Sequence, residues 1–410
     1  MKIKKIIYFT HLTFGKWDYE RFGIEIMKKN GFSVEVWDLT PFLNPEAYKT
    51  LKVPDPIDYK EHNFKLFKRN SEIINQIIHL KSDTIIITLI VPDYRLYKVF
   101  KRLSKLNIPY ALLLADALPK LKGVSDHNSR CNDKKLINYF RIIKDLNLLK
   151  IEKRISKKIS FRLLKVNFPE LILAGGAYAL STSNPPIGKK TKIVWIHAIN
   201  YDLYLKDLLK PLKSNYKGEK YAVFIDGYFP FAHDYVYRGS KSPVTPERYY
   251  SLLCKFFSRV EKETGIEVVI AAHPSSMYEK HPDYFGGRRV FRGKTNELIR
   301  NSEFVLMHYS TSISSAILYN KPVLFFATKD LEKSKIDIGY TRAFSSELNK
   351  GYIKIDENYN IDWDNELIID KEAYTDYKEK YIKRKGTEEK FFWQIVADEI
   401  KKLGTLTNSL

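Results

Sequence analysis

Tyr221-Ala-Val-Phe-Ile-Asp-Gly-Tyr-Phe-Pro230 is a short apolar run that stops on a carboxylate, Asp226, with a glycine directly after it. Such a run reads as a buried strand, and a charge in a tight turn at a strand's carboxyl end is where open α/β sheets place their chemistry. Two later stretches repeat the pattern. Glu267-Val-Val-Ile-Ala-Ala-His-Pro-Ser-Ser276 reads as a strand ending on His273-Pro274. Phe304-Val-Leu-Met-His-Tyr-Ser-Thr-Ser-Ile-Ser-Ser315 reads as a strand ending on hydroxyls that then open a helix. The three tips predict one crevice lined by a carboxylate, an imidazole and hydroxyls, suited to holding a phosphate leaving group opposite a nucleophile.

Around these tips the pattern alternates. Strands are expected at 221–225, 267–271, 289–291, 304–308 and 322–326, with helices at 246–263, 295–301 and 312–319. Upstream, apolar runs predict strands at 2–9, 32–37, 84–91, 110–114, 171–174 and 192–196, with helices at 17–30, 61–80 and 93–106. Strands alternating with helical stretches argue for parallel sheets with crossover helices. The reading is α/β: an N-terminal Rossmann-like domain over 1–212, a second over 213–385, and a terminal helix in 386–410 packing back across the domains. Lys210 to Glu219 reads as the linker, and 334–370 as irregular. Gly15 alone is not a dinucleotide fingerprint, so no such cofactor is indicated.

The totals narrow the function classes. Two cysteines in 410 residues, Cys131 and Cys254, have no metal-ligand spacing around them, which suits a reducing compartment and neither a disulfide scaffold nor a zinc site. The basic start, Met1 to Phe9, has too short an apolar run for a signal peptide, and the longest such run, Thr84 to Val91, is far below the ~20 residues that span a bilayer. A cytoplasmic chain is expected. Its net charge of +21 points to an anionic partner, or to lysines dispersed among the 48 acidic residues. The stretch 132–166 reads as a long basic helix or a helical pair, with Leu148, Ile151, Ile155, Ile159 and Leu163 in a stripe that either packs on the domain or makes peripheral contact with an anionic membrane. Nucleic acid is not indicated, because the aromatics are not clustered with the basic residues as a stacking platform.

Two Rossmann-like domains with the chemical groups near the start of the second resemble the GT-B glycosyltransferase plan. Ile225-Asp226-Gly227 is similar to a shortened (Asp/Glu)-(Asp/Glu)-Gly motif of bacterial sialyltransferases and capsule Kdo transferases, and His273-Pro274 matches their His-Pro motif. Ser310, Ser312, Ser314 and Ser315 sit where those enzymes place serines on the donor phosphate. The chain most resembles the retaining β-Kdo transferases of bacterial O-antigen and capsule assembly. Ile225 departs from the pattern, since a second acid stands there in the sialyltransferases.

The resemblance implies a CMP-Kdo donor, a lipid-linked oligosaccharide acceptor and no metal or other cofactor. It implies catalytic Asp226 and His273, and donor contacts from Gly227, Pro274, Ser275, Ser310, Thr311, Ser312, Ser314, Ser315 and Arg292. Asp226 would attack the anomeric carbon and form a covalent ketoside that the acceptor displaces, giving net retention. The residue types alone equally permit inversion with Asp226 as base. Unpaired N–H groups at the helix after Ser310 would favour the phosphate. Arg238, Arg288, Arg289 and Arg292 are all candidates for the sugar carboxylate. Asp362-Trp-Asp364 resembles a metal-binding DxD but reads as a surface loop, and Gly175-Gly176 as a tight turn rather than a phosphate cradle. His11, Asp116, His197 and Asp202 fall at strand ends of the first domain, either facing the acceptor or in structural roles. A sugar-nucleotide epimerase of the same fold is the remaining enzyme reading.

Overall fold

A computed structural model describes residues 2–53, 55–58, 63–90, 95–115, 117–121, 165–183, 185–209 and 220–403. The basic stretch up to residue 164, the 210–219 linker, Cys131 and Asp116 lie outside the described residues.

The first sheet contains β1 (Lys5–Thr10), β2 (Ser33–Asp38), β3 (Phe64–Leu66), β4 (Thr84–Thr88), β5 (Tyr110–Leu114), β6 (Leu171–Gly175) and β7 (Lys192–Ile196), in the order β3-β2-β1-β4-β5-β6-β7. The second contains β8 (Tyr221–Ile225), β9 (Glu267–Ala272), β10 (Val290–Arg292), β11 (Val305–Met307), β12 (Val323–Ala327) and β13 (Ile353–Lys354), in the order β10-β9-β8-β11-β12-β13. Neighbours in both sheets run parallel. Sequence alone accounts for this. The strands are apolar on both faces, so both faces must be covered, and helical crossovers do that. In β1, Ile6 and Tyr8 enter one core while Ile7 and Phe9 enter another. In β8, Tyr221, Val223 and Ile225 face one layer, and Ala222 and Phe224 the other.

Each sheet reverses its strand order once, between β1 and β4 and between β8 and β11. At such a point adjacent crossovers leave in opposite directions and open a crevice at the carboxyl ends.

Several local expectations change. The helix foreseen at 17–30 is two, Lys16–Arg21 and Ile24–Lys29, broken at Gly23 with φ +55°. A side chain there would meet the Trp393 ring at about 2.1 Å. The supposedly irregular region holds a helix, Lys335–Glu347. Helix Ile199–Leu208 packs on the second sheet, with Tyr201 in its core. From Lys378 the chain crosses back. Ala177 and Tyr178 donate to the carbonyls of Glu379 and Lys380, at 3.0 and 2.9 Å. Gly176, at φ +77°, leaves room for that approach: a side chain there would lie about 2.5 Å from the Lys380 oxygen. The helix Phe392–Leu403 then sends Phe392, Trp393, Val396 and Ile400 into the core of the first sheet. No described helix is long and apolar enough to cross a membrane.

Candidate active site

The crevice at the β8/β11 reversal is a cavity of about 540 Å³. Asp226 and Gly227 enter it from the tip of β8, His273 from the tip of β9, and Tyr309, Ser310 and Thr311 from the tip of β11. Leu118 and Leu121, which follow β5, line it from the first domain's side. Helix His233–Arg238 adds His233, Asp234, Tyr235 and Arg238, and helix Lys335–Glu347 adds Ile336, Tyr340 and Phe344.

Asp226 is 3% exposed. Its Oδ1 accepts the Tyr228 N–H at 2.8 Å; its Oδ2 accepts the Tyr278 hydroxyl at 2.7 Å and the His273 N–H at 3.3 Å. The turn that provides the first bond is strained, since Tyr228 has φ +52° without being a glycine. Gly227 makes the turn feasible, because a side chain there would lie about 2.3 Å from the Phe229 ring. Burial pushes the Asp226 carboxyl up to about 6, against the three donors, which favour its ionised form. At neutral pH it is a carboxylate with one lone pair on Oδ1 still uncommitted, fit to attack carbon or to take a proton.

His273 accepts the Ser275 N–H at Nδ1, 3.1 Å away, so its own proton sits on Nε2. Burial, helped by the nearby His233, pushes this imidazole down to about 4, against a small upward pull from Asp234. His308 is different. Its ring joins the Phe326 carbonyl at 2.7 Å and the Tyr249 hydroxyl at 2.9 Å; it is buried and does not line the cavity.

The hydroxyl cluster divides. Ser310 and Thr311 line the cavity; Ser312 precedes the following helix, Ile313–Leu318, without a side-chain capping bond, while Ser314 and Ser315 are buried within it. None of these last three lines the cavity. The N–H groups foreseen as a phosphate cradle are already engaged. Ser312 N bonds the Ser310 hydroxyl at 3.1 Å, and the N–H groups of Ile313, Ser314 and Ser315 bond carbonyls of Ser310, Thr311 and Ser312. Pro274 and Ser275 shape the turn beside His273 without lining the cavity.

Among the four arginines, Arg288 and Arg289 are tied to Glu261 and Glu267. Arg292 bonds the Ser276 carbonyl and Glu279 away from the cavity. Arg238 is the one that lines it, held by Asp234 at 3.1 Å and by buried Asp337 at 3.6 Å. Asp337 also accepts hydroxyls from Tyr235 and Tyr309, fixing this wall. Arg238 is thus the one candidate arginine at the cavity, and His233 and Asp234 are site residues beyond those picked from the sequence. Their sequence signal is only a polar cluster soon after Asp226.

The other candidates have structural partners. His197 is buried against the carbonyls of Ala198 and Lys390, and Asp202 accepts the Phe392 N–H. Both therefore hold the returning terminal segment. Asp362 caps the short helix Trp363–Glu366 through the Asn365 N–H. Among the described residues no group of three or more His, Cys, Asp or Glu is gathered as a metal-ligand set.

No protein-family model matches the chain, and no curated protein sequence does. Solved structures do. The H444N variant of the wall teichoic acid polymerase TagF matches at 12% identity and TM-score 0.50, over 99% of this chain and 90% of that one. The same variant after a 15-minute CDPG soak matches at 14% and 0.52, with the same coverage. The S. aureus MnaA–UDP structure matches at 13% and 0.50, over 98% of each chain. At these identities the likeness is one of fold, and with two parallel-sheet domains bordering one cavity that fold is GT-B.

Proposed function

We propose that this chain is a glycosyltransferase that moves Kdo, or a related ulosonic acid, from its CMP donor to a sugar hydroxyl of a growing surface polysaccharide on a lipid carrier. The observation that carries the reading is Asp226, a buried, ionisable carboxylate at the tip of β8, opening into a cavity opposite His273 and two hydroxyls. The fold supports it, since the matching structures include TagF, a wall teichoic acid polymerase.

Mechanistically, the free lone pair of Asp226 Oδ1 attacks the anomeric carbon as the bond to the CMP phosphate breaks. The departing phosphate is held by His273 Nε2–H and by the hydroxyls of Ser310 and Thr311. The resulting ketosyl ester is displaced by the acceptor hydroxyl, so two inversions give retention. No metal takes part in this proposal, because CMP leaves as a monoester with no diphosphate to bridge. The acceptor would approach from the first domain. Basic surface outside the described residues would supply any contact with an anionic membrane.

One observation favours a second reading, inversion with Asp226 as general base. Its carboxyl stands at about 6, close to the working pH that a base needs. Intact-protein mass spectrometry with CMP-Kdo and no acceptor separates the two. One added Kdo residue on wild type, absent from Asp226→Ala, supports double displacement. Transfer to acceptor without any adduct makes Asp226 a base. With neither adduct nor transfer, the donor assignment falls.

A further inference from the structure

We propose that His233 and His273 together form the seat of the donor's phosphate, and that the pair takes up one proton when that phosphate stands there as the dianion of CMP. The inference deepens the CMP-sugar reading of the cavity and rests on it.

Among the described residues lining the cavity, Arg238 alone is a Lys or Arg, and Asp234 and Asp337 already share it. Asp226 and Asp234 line the same cavity as carboxylates. The phosphate, a monoanion in the donor diester and a dianion in the CMP that leaves, meets no surplus positive charge in this space. The N–H groups of residues 312–315 do not supply it either, since they are engaged.

The imidazoles remain. His273 presents Nε2–H because its Nδ1 is held by Ser275. His233 opens the helix His233–Arg238 and lines the cavity with it, near enough for the charges of the two rings to oppose each other. Burial pushes His233 down as well, while the neighbouring Asp234 pulls it up. Asp226 and Tyr228 from the β8 tip, Asp234, Tyr235 and Arg238 on the helix, Tyr309 after β11 and Tyr340 on Lys335–Glu347 are the other titratable groups at this end. With the cavity empty, both imidazoles are neutral near pH 7. An anion within about 4–6 Å favours the charged form of each. Mutual repulsion then limits the gain to one proton.

The test is calorimetric titration of the full chain with CMP at pH 7, in buffers of differing ionisation enthalpy. Wild type is expected to take up close to one proton, whereas cytidine, lacking the phosphate, is expected to cause none. His233→Asn should remove most of the uptake and weaken CMP roughly tenfold or more. Unchanged uptake in that variant would put the proton on the phosphate or on Asp226 and overturn the proposal. The imidazole NMR signal of His233 in wild type gives a second readout: a move to the imidazolium position on adding CMP supports the pair, and a ring that stays neutral overturns it. If UDP binds and CMP does not, the CMP reading falls, and the same proton count on UDP decides the histidine pair. If neither binds, the pair falls too.

Discussion

Asp38 at the tip of β2 and Asp226 at the tip of β8 are almost the same residue placed twice. Each follows an apolar parallel strand, each is buried, at 1% and 3% exposure, and each is pushed up to about 6 by that burial. Each also accepts, at 2.8 Å, the N–H two residues ahead: Thr40 for Asp38, Tyr228 for Asp226. Their surroundings differ. Asp226 lines the 540 Å³ cavity and takes further bonds from a tyrosine hydroxyl and the His273 backbone, whereas Asp38 does not line it. A perturbed carboxyl at a strand end is therefore no sign of catalysis by itself. The cavity and the converging partners make the distinction.

The sharpest way to break this comparison is to remove both charges. Asp226→Asn is expected to lower kcat/KM with CMP-Kdo about a thousandfold or more while the thermal melt stays cooperative. Asp38→Asn should leave kcat/KM within a few-fold. Equal losses would erase the difference between the two tips.

The shared electrostatics predict a smaller, common effect. Both carboxyls bind their proton more tightly folded than unfolded, so each contributes most to stability below about pH 4. That contribution is lost as pH rises to about 6, and is constant above it. From 3.8 to about 6, at about 1.4 kcal/mol per pH unit, the loss is about 3 kcal/mol at each site. Urea unfolding of either Asn variant and wild type at pH 4 and 7.5 should show the difference moving in the variant's favour by up to that amount. An effect at one site only would separate the pair on electrostatics as well as on function.

Smallest is the effect of one donor that Asp38 lacks. Tyr278→Phe removes the 2.7 Å hydroxyl bond that favours ionised Asp226. The acid limb of the kcat/KM profile is expected to move up by roughly one pH unit, with about a fivefold loss at pH 6 and little at pH 8. An unmoved limb would mean that Asp226 does not set it.

Much of this was legible from the chain, and the physics says why. The β8, β9 and β11 tips stand out because strands buried on both faces read as unbroken apolar runs that end abruptly on polar groups. The helix Lys335–Glu347 was hidden because its buried face includes Asp337, Gly339, Thr341 and Ser345, which interrupt any apolar stripe. Ser334 with Asp337 three residues on, a capping signature, would have marked its start; Ser334 does cap the Asp337 N–H at 3.2 Å. The helix carrying His233 and Arg238 is six residues long, too short for periodicity. Which serines face the cavity depends on where the turn tightens after β11, and composition does not encode that. The break at Gly23 needs Trp393, far away in sequence, to explain it.

That last contact bears on how the chain matures. The first sheet's core includes Phe392, Trp393 and Ile400, so a nascent chain cannot complete it until about four hundred residues have been made. The second sheet has its strands within residues 221–354 and its last core residue at Ile382, so its layers are available somewhat earlier. Domains usually consolidate in the order in which they leave the ribosome. Here the domain that starts first finishes last, and its parallel strands wait for a helix made about two hundred residues after β7.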